Sequence, residues 1–154
     1  MKNLFLLLLS IVGLSCSNDD ETKFASSKTI MFGAIYGECA GDCRTLYLLT
    51  EQAIYKDSDT DTEFGNWENT SFENEALPLS KFELAKPLLE IPTGLLDSKN
   101  KIGVDLLADF DYFIRIEQNG KSKTWMFDEI SDNAPSDFKD YFRNLIQING
   151  QLLE

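Results

Sequence analysis

Histidine is missing from all 154 residues. Its absence removes Ser-His-Asp and Cys-His nucleophilic catalysis and most zinc and copper sites, because the imidazole is the usual neutral base and nitrogen ligand. Basic residues are scarce: 14 Lys and Arg stand against 26 Asp and Glu, a net charge of −12. Such a chain repels duplex nucleic acid and anionic headgroups, so no nucleic-acid partner is expected. Surface solubility accounts for that charge; a cationic partner or Ca²⁺ is the alternative. Cysteine occurs three times and proline four times. A membrane-spanning run is also lacking. The apolar stretch near the N-terminus covers about a dozen residues, short of the roughly 20 needed to cross a bilayer. No internal repeat, phosphate-binding glycine loop or long low-complexity segment is present.

That stretch carries the strongest positional signal. Lys2 precedes Leu4-Phe5-Leu6-Leu7-Leu8-Leu9-Ser10-Ile11-Val12-Gly13-Leu14-Ser15, and Cys16 follows, leading into Ser17-Asn18-Asp19-Asp20-Glu21. A single cation, an apolar core and small residues before a break form a secretory leader, here residues 1–15. An ordinary cleaved signal or a short membrane helix is the simpler alternative. Gly13-Leu14-Ser15-Cys16 resembles the relaxed lipobox of Bacteroidota lipoproteins, with Gly13 and Ser15 where the usual box has leucine and glycine or alanine. The serine and acids after Cys16 are similar to the tag that sends such lipoproteins to the cell surface. The resemblance implies a diacylglycerol thioether on Cys16, an outer-membrane location and a domain facing outward. Several acyl chains anchor stably, at about 0.8 kcal/mol per buried CH₂. Removing the first 15 of 154 residues leaves 139, enough for one domain, and loss of Lys2 takes the net charge from −12 to −13. Residues 16–27 read as a flexible tether.

Cys39 and Cys43 remain, in Cys39-Ala40-Gly41-Asp42-Cys43. Outside the cytoplasm two close thiols oxidise, and closing so small a ring constrains the unfolded chain by about 2 kcal/mol. A structural disulfide is the expectation. A redox or copper role is the alternative, although redox pairs use two intervening residues and two thiolates make half a zinc site.

Hydrophobic periodicity then sets the fold, a single domain over residues 28–154. Between Lys28 and Glu38, Ile30, Phe32, Ala34 and Tyr36 share one face of a strand, with Met31 and Ile35 on the other. Arg44 to Thr50 and Ala53 to Lys56 predict two more strands. Residues 57–74 read as a long acidic loop, with room for a short strand near Trp67. Ser80-Lys81-Phe82-Glu83 has the spacing of a capping box and predicts a helix from about Lys81 to Glu90, disturbed by Pro87. Phe110 to Glu117 and Lys123 to Phe127 form a hairpin about Asn119-Gly120, a type I′ turn. Pro135-Ser136-Asp137 opens a last helix whose stripe is Phe138, Tyr141, Phe142, Leu145 and Ile148, with Asn149-Gly150 as its C-cap. The expected fold class is α+β, an antiparallel sheet of about four to six strands packed by two helices.

Candidate chemistry is sparse. Asp57, Asp59, Asp61 and Glu68 occupy positions 1, 3, 5 and 12 of an EF-hand-type calcium loop, but position 6 is Thr62 where the sharp turn uses glycine. The alternatives are a Ca²⁺ site and a solvated acidic loop; no other cofactor is expected. Phe64 and Trp67, in the same polar loop, are candidate aromatic contacts for a sugar or a partner's pocket, or else they pack the loop. A glycosidase needs two carboxylates at suitable separation, and no pair stands out.

The order of strand, glycine-bearing turn at Ala40-Gly41, strand, helix, an Asp109-Phe110-Asp111-Tyr112-Phe113-Ile114 strand, a strand ending at Phe127-Asp128-Glu129, proline and terminal helix is similar to emfourin-like domains. That resemblance implies inhibition of secreted metalloproteases. The paired cysteines and the 57–74 segment are not emfourin features, and no inhibitory residues are carried over. The expected function is a surface-anchored binding module, not an enzyme. A protein partner is the first expectation and a glycan the second, with a carboxylate-based hydrolase as the remaining alternative.

Overall fold

The computed structural model describes residues 27–36, 43–58, 70–104 and 110–154. Alternating side chains lay down β1 (Lys28–Tyr36), β2 (Arg44–Leu49) and β3 (Ile54–Lys56). The helix α1 (Leu79–Ala85) runs into a 3-10 turn (Lys86–Leu89). β4 (Gly103–Val104), β5 (Phe110–Gln118), β6 (Lys121–Phe127), β7 (Glu129–Ile130) and α2 (Ser136–Leu153) complete the chain. Five strands form one antiparallel sheet in the order β3-β2-β1-β5-β6, and β4 pairs with β7 in a small second sheet. The protein is therefore a single α+β domain, as its periodicity indicates.

Register decides the two faces of the sheet. Phe32 lies opposite Tyr47 on β2 and Ile114 on β5, and Ile114 lies opposite Trp125 on β6. These residues face α1 and α2 and share one core with Phe82, Ala85, Leu88, Tyr141, Phe142, Leu145 and Ile148. The Phe142 ring meets Trp125 edge-on at 5.2 Å and Phe127 at 5.7 Å. The opposite face carries a smaller core of Ile35, Leu46 and Phe113, with Met31 and Phe72 against it. Both faces of β1 are thus covered, which its sequence anticipates with apolar residues at odd and even positions.

Several local expectations give way. The capping box at Ser80 does not form. Pro78 is the N-cap of α1, and its carbonyl accepts the Lys81 and Phe82 N–H groups, so the helix starts ahead of Ser80 and leaves it exposed. Pro87 shortens the α-helix to Ala85, because a residue without an N–H fits the first positions of a new 3-10 turn. Asn149-Gly150 does not end α2. Asn149 and Leu152 are buried, which holds the helix for a further turn, and Lys81 Nζ donates to the Gln151 carbonyl at 3.0 Å where the dipole favours a cation. β3 begins at Ile54 and not Ala53, since Ala53 gives its carbonyl to the Thr50 N–H in a turn. The Asn119-Gly120 turn stands as expected, with positive φ at both residues (52° and 74°).

Candidate functional site

The face of the sheet turned away from the helices holds a groove of about 470 Å³. Its floor follows from register. Met31 lies opposite Leu48 on one side and Arg115 on the other, and Thr29 lies opposite Glu117. Directly opposed residues of antiparallel strands share a face, so these five side chains converge. The wall is Thr70, Ser71 and Phe72. That segment is fixed to the sheet edge: Phe72 bridges to Asp57, the Ser58 N–H donates to the Ser71 carbonyl at 3.0 Å, and the Glu73 N–H donates to the Lys56 carbonyl at 2.9 Å.

Met31, Leu48 and Phe72 give the groove an apolar centre; hydroxyls, a guanidinium and a carboxylate surround it. Arg115 meets Glu117 at 2.7 Å, both partly exposed. A cavity of this size with a few convergent polar groups is the ordinary form of a binding site. Glu117 is the one carboxylate among the described lining residues, whereas glycoside hydrolysis needs two.

A second surface is aromatic. Tyr36, opposite Phe110 across β1 and β5, lies 5.3 Å from its ring, and Phe110 meets Tyr112 edge-on at 4.8 Å. Tyr36 is 38% exposed. Burial, and then the neighbouring Tyr36, raises the Tyr112 phenol above its ordinary range.

Of the residues singled out in the sequence, Asp57 and Cys43 are described, and neither lines the groove. Asp57 is buried, its carboxylate 3.7 Å from Arg44 Nε, with both side chains almost fully enclosed. A cation at Asp57 would compete with Arg44 for that carboxylate. Asp59, Asp61, Phe64, Trp67 and Glu68 lie outside the described residues, as do Cys16 and Cys39. Cys43 stands just before β2, where its carbonyl accepts the Tyr36 N–H at 2.8 Å. Ser27, expected to end the tether, is fastened: its hydroxyl donates to Glu51 at 3.1 Å, and its carbonyl accepts the Asn119 N–H. Among the described residues no cluster of three His, Cys, Asp or Glu side chains forms, and no helix is long and apolar enough to cross a membrane.

Sequence reasoning missed the groove. Its signal is the odd-numbered set of β1, Thr29 and Met31, but the partners Leu48, Arg115 and Glu117 are found only once register is known. No protein-family model and no curated protein matches this chain. The likeness to emfourin-like domains therefore rests on the order of elements alone.

Proposed function

We propose that this protein is a lipoprotein anchored through Cys16 to the outer membrane, displaying an α+β domain that binds a partner at the cell surface. The observation that carries the binding role is the groove over Met31, Leu48 and Phe72, which combines an apolar centre with a paired donor and acceptor at Arg115 and Glu117. That combination suits a protein segment with one apolar anchor and flanking polar groups. A secreted-protease-inhibitor role is one form of this reading, supported by element order. The aromatic ledge of Tyr36, Phe110 and Tyr112 supports the second reading, a glycan, because sugar rings stack on half-exposed aromatic faces. Cys39 is proposed as the disulfide partner of Cys43, since β1 and β2 are already joined across the turn by the Tyr36–Cys43 hydrogen bond.

Photo-crosslinking on intact cells tests the groove. A crosslinking side chain at Met31 or at Arg115 is expected to trap the same adduct. One at Leu79, 71% exposed on α1, is expected to trap none. Equal trapping at all three positions, or none at the groove, contradicts the proposal.

A further inference from the structure

The outer edge of β6 lies apart from the Met31 groove. The two-residue turn at Asn119-Gly120 makes Gln118 and Lys121 a directly paired couple. Alternate residues from Lys121 onward therefore spend their backbone groups on β5, while Ser122, Thr124 and Met126 direct theirs outward. The next residue of that outward set, Asp128, confirms the alternation by donating its N–H to the Val104 carbonyl at 3.1 Å. β4 thus closes the far end of the row. Ser122, Thr124 and Met126 are all exposed, Met126 at 47%.

A groove of about 440 Å³ runs beside this edge, between β6 and the segment 98–103, and Lys99, Lys101 and Lys123 line it. In a chain of net charge −12, four of the 14 basic residues (Lys99, Lys101, Lys121 and Lys123) meet here. No acid occurs between Gln118 and Phe127, and Asp97 is the one acid in the segment 95–103. Asp97 is occupied by Lys121 Nζ at 2.7 Å. Lys123 donates to the Ser98 carbonyl and lies over the Trp125 ring at 5.2 Å. Lys99 and Lys101, both exposed, are left to meet a ligand.

We infer that this edge accepts an extended acidic peptide segment as an added strand. Outward backbone groups at Ser122, Thr124 and Met126 supply the hydrogen bonds, and Lys99 and Lys101 select for acidic side chains. Lysines also guard sheet edges against unwanted pairing, and that role alone implies that no strand is accepted. The inference stands on β6 itself and holds or fails independently of the Met31 groove and of the anchor.

Fluorescence polarisation with the full chain in non-ionic detergent tests it. The probes are an acidic peptide of roughly eight residues, about one strand in length, the same peptide N-methylated at alternate residues, and a sulfated oligosaccharide of matched charge. The plain peptide is expected to bind, and to bind at least about tenfold more weakly to Lys99→Glu/Lys101→Glu, as charge selection requires. Thr124→Pro, which removes one outward N–H while sparing the β5 ladder, is expected to weaken it as well, with circular dichroism confirming the fold. Absence of binding overturns the inference. So does equal binding of the N-methylated peptide or of the oligosaccharide, since either would mark a surface that reads charge without adding a strand. Should a variant lose its fold, comparison of the two peptides on the unaltered chain decides.

Discussion

Arg44 and Asp57 form the most demanding contact at the residue scale. Their side chains are 4% and 2% exposed and 3.7 Å apart. Two charges taken out of water repay the desolvation only while both are present. Arg44→Met or Asp57→Leu alone is expected to cost about 3–5 kcal/mol, whereas the double substitution should recover most of that loss. Urea denaturation of the four proteins in a double-mutant cycle measures the coupling; additive losses would show that the pair is not a unit. Gly33 is a second such position. A Cβ there would strike the Thr45 carbonyl oxygen and crowd Leu46, both on the neighbouring strand β2. Gly33→Ala is expected to destabilise by about 1–3 kcal/mol, the usual range for overpacking, read as a lower urea midpoint. Neither constraint is legible in the sequence. Asp57 reads there as the first ligand of an acidic loop, because only register shows that it lies opposite Leu46 at the end of β3 and within reach of Arg44.

At the scale of elements, a hydrogen bond fastens α2 to the 3-10 turn: the buried Tyr141 hydroxyl donates to the Leu88 carbonyl at 2.9 Å. Tyr141→Phe should cost about 1 kcal/mol at neutral pH. Burial raises the Tyr141 phenol, and burial together with the Asp57 charge pushes Tyr47 up to about 12 from an ordinary value of 10.0. Unfolding therefore releases protons above pH 10. Stability is whole below that pH and falls as the pH rises through about 12. Tyr141→Phe should lessen the alkaline loss; thermal melts between pH 8 and 12 follow both effects, and a flat profile across that window would contradict them. Period-two and period-three-and-four patterns made β1, β5, β6 and α2 legible, since each buries a full stripe. The ends were less legible. The Ser80 box and the Asn149-Gly150 cap are local signals. The first lost to another local start, since the Pro78 carbonyl accepts the first helical N–H groups, and the second to tertiary packing, since the buried Leu152 carries α2 past Gly150. β4 and β7, two residues each, are too short to show a period at all.

At the scale of the whole molecule, the sheet presents one face to the helices and holds a groove on the other, with a lysine-lined edge at β6. Fold class was readable because the connections are short and the strands alternate. The groove was not, because its residues come from three strands and the segment 70–72, and only pairing brings them together. Compartment rests on the leader. If Cys16 carries the lipid, Cys16→Ala should release the protein from membranes without altering the unfolding midpoint of the domain, as fractionation and denaturation of the two forms would show.

Non-reducing intact-mass spectrometry of the protein isolated from its own cells tests the central claim most directly. The account predicts a chain beginning at Cys16, heavier by its acyl groups and lighter by the two hydrogens lost when Cys39 and Cys43 join. An unmodified chain still beginning at Met1, with all three thiols free, would contradict it.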